Sequence, residues 1–474
     1  MSIRVNIQRV DFYMRNVMTR FPFRYGTADL TSVPILHTKI KANVDGNLAE
    51  GFSADILPPK WFDKDPKKTY RDNVNDLILS AEIAADEFCK ASLIERTPFS
   101  LWLRSYNNAI TNCRSRGLNS LTASHGCSLM ERALIDSIGK ALSKSYFQLL
   151  SEDLLDIQLG VLHPQLEGLK FNEFLPTSPL QSIEIRHTVG LSDPLRSENV
   201  FESERVNDGL PETLEDYIQQ QDLSNFKVKV CGDLFADLKR LGEFSELVSE
   251  VDYSLSLDGN EQFTRMAEFL EFVKQIKSEL PSLWDRISYI EQPLDRRVAL
   301  NDDFGSDIKL ISEQKPLLID ESDDSFDSFV RAIALGYVGI SSKACKGLIK
   351  GIANAALVRI QVSDRYFLTG EDLMNLPIVP LHQDLVHLAA LGVNNIERNG
   401  HHYVRGLDHL SIPERQECLR DNADLYSDRG DIIGLKVESG IICVSSLQRP
   451  GLGVGDNVDL QSMMSLSDWD FDTL

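Results

Sequence analysis

Phe226-Lys227-Val228-Lys229-Val230 is the stretch on which the fold turns. Side chains alternate along a strand with a period of two, so Phe226, Val228 and Val230 share one face and the two lysines share the other. Two lysines on one face ordinarily mean a solvent-facing strand. In a parallel barrel the outer face packs on helices and the polar face turns to the axis, where a charge needs partners. Such partners recur down the chain. Tyr253–Leu257 runs into Asp258, Ile287–Glu291 ends in Glu291, Leu317–Asp320 runs on into Glu321, and Val338–Lys343 ends in a lysine. From Lys229 to Asp258, Glu291, Asp320 and Lys343 the steps are 29, 33, 29 and 23 residues. Each step is roughly one βα unit of about 30 residues. The five groups are therefore expected side by side at the C-terminal rim, where barrel enzymes carry their chemistry.

Working outward, three more short apolar runs, Ser182–Thr188, Tyr366–Thr369 and Asn394–Glu397, bring the count of candidate strands to eight, with helical stretches between them. That rhythm is the signature of a parallel α/β barrel. Upstream, residues 2–13 and 34–44 alternate as half-buried strands do, around an aromatic loop at Phe21–Gly26. Helices are expected from Tyr70 to Lys90, Pro98 to Arg116 and Ser128 to Leu150. Strands followed by a run of helices is an α+β pattern. The polar segment 192–210 follows the first barrel strand. Beyond residue 400 lie short strand-like pieces (Ile432–Val437, Gly440–Ser445) and an acidic end.

With 42% hydrophobic and 25% charged residues, the 474-residue chain has a globular balance rather than a disordered one. A formal net charge of −22 repels nucleic acid and anionic membrane, so neither is expected as a partner. It also requires cations gathered locally if the substrate is an anion. Seven widely spaced cysteines without a CxxC read as reduced thiols, which with the absence of a signal-like or spanning apolar run implies a cytoplasmic protein.

Three converging carboxylates raise one another's pKa, and a hard divalent cation resolves the conflict. Mg²⁺ (or Mn²⁺) on Asp258, Glu291 and Asp320 would polarise a substrate carboxylate and stabilise the charge left when an α-proton departs. Lysines beside that cation are expected to have depressed pKa values and to act as bases. Lys227 and the metal would do this for Lys229, which would face Lys343 across the substrate.

These residues resemble the enolase superfamily, most closely its muconate-lactonizing subgroup within the mandelate racemase/muconate lactonizing enzyme family. The likeness rests on five motifs in order: Lys227-Val228-Lys229, Asp258-Gly259-Asn260-Glu261, Glu291-Gln292-Pro293, Asp320-Glu321-Ser322 and Lys343. The resemblance implies a (β/α)7β-type TIM-like barrel with an α+β capping domain formed by the N-terminal region and the C-terminal tail. Residues 1–175 would form the cap, with an extra helical segment, 180–400 the barrel, and 401–474 a segment returning to the cap. It implies Asp258, Glu291 and Asp320 as metal ligands and Lys229 and Lys343 as the acid/base pair. The activity implied is abstraction of an α-proton to give a metal-stabilised enediolate, leading to racemisation or epimerisation, cycloisomerisation or dehydration of a small carboxylate. Relatives are often homo-oligomers. Arg24 in the capping loop, Arg186, Asn260, Glu321, Glu371 and Glu397 are the candidate substrate contacts. His187, Trp61 and Phe62 read as structural, and His401-His402 as a polar turn. The chain departs from the family pattern in lacking a histidine near Tyr366–Asp372 and a Gly-Gly after Lys343. Two other readings stand beside this one: a non-catalytic ligand-binding protein of the same fold, and a Schiff-base aldolase-like barrel using Lys343.

Overall fold

The computed structural model describes residues 2–455 and 458–474. It begins with three long antiparallel strands, β1 (Val5–Tyr25), β2 (Ala28–Val44) and β3 (Asn47–Ile56). The β2–β3 hairpin turns on Asp45-Gly46, both at positive φ (47° and 88°), the geometry that a two-residue hairpin turn demands. Three helices follow: α1 (Tyr70–Ala91) and α3 (Ser120–Leu142) pack on this sheet, and α2 (Pro98–Ser115) packs against both of them.

The third helix departs from the sequence expectation of Ser128–Leu150. It starts eight residues earlier, where the Asn119 side chain accepts a hydrogen bond from the Thr122 amide as N-cap. It stops at Ser143, which takes a left-handed conformation (φ 53°), and a separate short helix, Tyr146–Ser151, follows. Gly126 sits inside α3 because a Cβ there would come within 2.2 Å of the Ser80 carbonyl oxygen of α1. Every residue of α3 from Leu121 to Gly139 is buried, since the helix lies between the sheet and the rest of the chain.

Eight parallel strands follow: β4 (Ser182–Val189), β5 (Asn225–Lys229), β6 (Ser254–Asp258), β7 (Ile287–Glu291), β8 (Leu317–Ile319), β9 (Gly339–Ser342), β10 (Phe367–Gly370) and β11 (Asn395–Arg398). Each pairs with the next, and β11 pairs back onto β4 with Arg398 opposite His187, so the sheet closes into a barrel. At least one helix separates each strand from the one after it. After the barrel the chain makes two stitches. Ile441–Cys443 adds antiparallel to the start of β4, and Met464–Ser465 adds to β1 opposite Met14 and Tyr13. No helix among the described residues is long and apolar enough to cross a membrane.

Candidate active site

Strand register sets the site. Lys229 pairs with Asp258 across β5–β6, and Asp258 with Glu291 across β6–β7. Asp320 and Lys343 follow directly on β8 and β9. The five charged groups thus occupy neighbouring positions at the C-terminal rim. All are at least nine-tenths buried.

The motif residues between them act as struts. Gln292 accepts hydrogen bonds from the Asp320 and Ser322 amides at 2.8 and 3.1 Å through Oε1, while its amide nitrogen donates to Leu294 O and Ser322 Oγ. It locks the end of β7 to the end of β8. Asn260 and Glu261 take positive φ (38° and 68°) in a tight turn after β6. Glu261 is gripped by Arg296 and by Lys64, whose Nζ stands 2.6 Å from it. Arg296 also donates to the carbonyls of Trp61 and Phe62, so the cap is pinned to the rim beside Asp258.

Ammonium groups hold the carboxylates. Lys227 Nζ lies 2.7–3.0 Å from Asp258, Glu291, Glu371 and Glu397. Lys229 is paired with Asp258 at 2.5 Å and Lys343 with Asp320 at 2.6 Å. Lys346 adds a second contact to Asp320, at 3.3 Å. Glu291 is pushed well above the usual carboxylate range, by burial first and then by the charges of Asp258 and Glu371. Burial works in the same direction on Asp258 and Asp320, but the neighbouring lysines outweigh it and hold both below that range. Glu321 is raised to about 7 by burial and by Asp320. Burial lowers Lys343 and Lys227, but their carboxylate partners prevail and hold both above the ordinary lysine value.

Among the described residues, no group of three or more His, Cys, Asp or Glu side chains is gathered closely enough to hold a metal ion as it stands. The donor chemistry nonetheless fits a hard divalent cation. Three buried carboxylates sit on adjacent strand ends, with Glu291 under-compensated by the positive charge now present.

Lys229 and Lys343 open onto one small cavity that Asn260 also lines. Its outer wall comes from the cap, through Phe23, Tyr25 and Trp61. Trp61, which the sequence placed in the core, presents its ring face 4.4 Å from Lys343 Nζ. Only the two prolines before it hinted that this segment runs as an ordered, non-helical arm over the barrel. Asp372, Leu373, Met374 and Asn399, from the turns after β10 and β11, also line it.

Of the candidate substrate contacts, Asn260 lines the cavity, and Glu321 lies behind it, accepting from the Asn260 carboxamide at 3.1 Å. The other four do not line it. Arg24 is half-exposed, paired with Asp29 at 3.0 Å, and borders a different cavity beside residues 192–212. Arg186 is buried inside the barrel, ion-paired to Glu371 and stacked on Tyr289. Glu371 and Glu397 are spent on Lys227. Lys227 itself is enclosed by its four carboxylates and is not part of the lining. His401 and His402 fall in a short helix, Gly400–Tyr403, where His402 is 3.3 Å from Asp193.

No family model matches the chain, and no curated protein matches it by sequence. Solved structures do match in fold. An enolase from Bradyrhizobium complexed with magnesium and mandelic acid aligns with TM-score 0.61 at 15% identity, over 98% of this chain and 99% of that one. An N-succinyl Arg/Lys racemase from Bacillus cereus gives 0.60 at 17%, over 98% of both. A muconate lactonizing enzyme from Mycobacterium smegmatis, complexed with muconolactone, gives 0.59 at 16%, over 97% and 99%. The chain therefore has the fold of the solved members of the enolase superfamily: a closed eight-stranded parallel barrel joined to an antiparallel sheet with its helices.

Proposed function

We propose that this chain is an enolase-superfamily enzyme that removes the α-proton of a small carboxylate, with Lys229 and Lys343 as acid and base. The observation that carries this reading is that the two lysines line one small cavity while each rests on a rim carboxylate, Asp258 or Asp320. Asp258, Glu291 and Asp320 would hold Mg²⁺ or Mn²⁺. When bound, the cation would polarise the substrate carboxylate and compensate part of the acidic charge of the rim.

One lysine takes the proton and the second faces the α-carbon from the other side. Return of a proton by the second lysine inverts the centre, giving racemisation or epimerisation. Loss of a β-substituent gives dehydration, and lactone chemistry gives cycloisomerisation. Lys227 spreads its charge over four carboxylates and keeps the acidic floor compact. The cap residues Phe23, Tyr25 and Trp61 exclude water from the lysines. Residues 1–175 with the tail after 400 form the cap in this reading, and 180–400 the (β/α)7β barrel.

The test is exchange of the α-proton in D₂O with Mg²⁺, followed by NMR over a panel of carboxylic acids. The wild type should incorporate deuterium. Lys229→Ala and Lys343→Ala should each lose about 10²–10⁴-fold in rate, the range for a general acid or base. Full exchange in both variants would overturn the assignment. Borohydride trapping of substrate on Lys343 with full activity in EDTA would instead support the Schiff-base reading.

A further inference from the structure

The two cavity lysines are anchored differently. Lys229 is the last residue of β5, in register with Asp258, and the next amide, Val230 N, donates to Asp258 O at 3.0 Å. The sheet ladder therefore fixes its backbone. Lys343 lies just beyond the end of β9, past the last registered pair of Ser342 with Gly370. Its carbonyl accepts from the Lys346 amide in a tight turn, and the Ala344 amide, in the same peptide plane, donates to Asp384 Oδ1 at 3.2 Å. That plane sets the Lys343 ψ, so whatever fixes Asp384 also fixes the direction in which the Lys343 side chain leaves the backbone.

Asp384 belongs to the helix Val379–Leu391 and is fully buried. A buried carboxylate needs a counter-charge. Arg398, the last residue of β11, supplies it: its guanidinium stands 2.5 Å from Asp384 Oδ2 and 3.5 Å from Asp372 Oδ1. Asp372 in turn accepts from the Asn375 and Asn399 amides at 2.8 and 2.9 Å. Asp372 and Asn399 line the lysine cavity, whereas Arg398 and Asp384 stand behind it. One buried guanidinium thus ties together the turns after β9, β10 and β11, and neither of its ion pairs involves β5 or Lys229.

We infer that Arg398 is a positioning residue: through Asp384 it sets Lys343, and not Lys229, against the α-carbon of the substrate. The inference rests on the acid–base reading above and makes the two faces of the site separately adjustable. Without Arg398, Asp384 and Asp372 are two unpaired charges in the interior. They turn toward water or other donors, and the Ala344 amide loses its fixed acceptor.

Arg398→Met breaks both pairs. Asp384→Asn keeps the Arg398–Asp372 pair and the side-chain shape; it should show the same asymmetry in smaller measure and serves if the first variant fails to fold. Crystal structures of the intact protein give one readout. The separation of Lys343 Nζ from Asp320, 2.6 Å in the wild type, should lengthen by about 1 Å or more while Lys229 stays on Asp258, a misplacement large enough to slow proton transfer. The other readout is loss of the α-proton in D₂O with Mg²⁺, from the separate enantiomers of lactate, 3-phenyllactate and phenylalanine. For the enantiomer whose exchange Lys343→Ala abolishes, the rate should fall about tenfold or more, and for the opposite enantiomer it should stay within about threefold. Equal slowing of both enantiomers would make Arg398 a general structural residue and overturn the inference. Unchanged rates for both, or a Lys343 that does not move, would overturn it too. If the wild type exchanges none of these acids, the α-proton reading fails and the crystal structures alone decide: a displaced Lys343 upholds the positioning, and an undisplaced one overturns it.

Discussion

Lys227 bears more electrostatic weight than any other side chain described here. Four carboxylates converge on its ammonium group, and removing one partner of a buried ion-pair cluster leaves uncompensated charge. Lys227→Met should therefore lower unfolding free energy by about 3–5 kcal/mol, measured by urea denaturation at pH 7. A loss below about 1 kcal/mol would show that the carboxylates relax apart or protonate at little cost. Part of this was legible in the sequence, because the KxK alternation demanded acidic partners and Asp258 and Glu291 were found from spacing alone. Glu371 and Glu397 were also singled out, but as substrate contacts. Whether a strand-end carboxylate faces a ligand or a lysine depends on its layer within the barrel. Spacing in sequence does not report that layer. Arg186, another candidate contact, illustrates the same limit: an inward-facing arginine on β4 can spend its charge on Glu371 before any substrate arrives.

At the scale of elements, α3 joins the two halves of the molecule. Ser128 donates to Ala344 O at 2.6 Å just after β9, and Glu131 accepts from the Ile349 amide at 2.8 Å in the helix Leu348–Arg359 and from Trp102 Nε1 at 2.6 Å in α2. Burial raises the Glu131 pKa from 4.5 to about 7 despite these donors. The folded state therefore holds this proton more tightly than the unfolded state does. Its contribution is fully present below about pH 4.5 and is lost as pH rises to about 7, on the order of 3 kcal/mol at most. Denaturant melts between pH 4.5 and 7 should show that decline in the wild type. In Glu131→Gln the slope should be shallower, even though the variant is less stable overall because a carboxamide cannot accept at both positions. An unchanged slope would remove Glu131 from the account. Gly126 gives a purely steric counterpart. Gly126→Ala brings a methyl group into the α1 backbone at Ser80 and should cost about 1–3 kcal/mol, the range for overpacking, or more if the backbone resists. A change within about 0.5 kcal/mol in thermal or urea melts would show that α1 and α3 part easily. The α3 boundary was missed in the sequence for a related reason. A glycine in a helical pattern reads as a break, whereas here it marks the closest approach of two helices.

Taken as a whole, the molecule concentrates its chemistry by topology rather than by local sequence. The eight barrel strands were readable as short apolar runs at regular intervals, because a strand buried on both faces leaves few alternatives. The cap's contribution to the cavity was not readable in that way. Phe23, Trp61 and the barrel lysines lie far apart in sequence, and nothing local indicates that an aromatic arm closes over a distant rim. The tail is a similar case, since Ile441–Cys443 and Met464–Ser465 pair with β4 and β1, strands from opposite ends of the architecture. The net charge of −22 is likewise a property of the whole, and under the proposed function attraction of an anionic substrate would fall to the rim lysines and a bound cation. The central claim is thus that Asp258, Glu291 and Asp320 gather around a divalent ion beside Lys229 and Lys343. Anomalous diffraction from crystals soaked in Mn²⁺ tests it most directly. The account predicts a single strong peak within about 2–2.5 Å of an oxygen from each of the three carboxylates, with the ammonium groups of Lys229 and Lys343 drawn off Asp258 and Asp320. No peak there, with both lysine–aspartate pairs unbroken at saturating Mn²⁺, would contradict it.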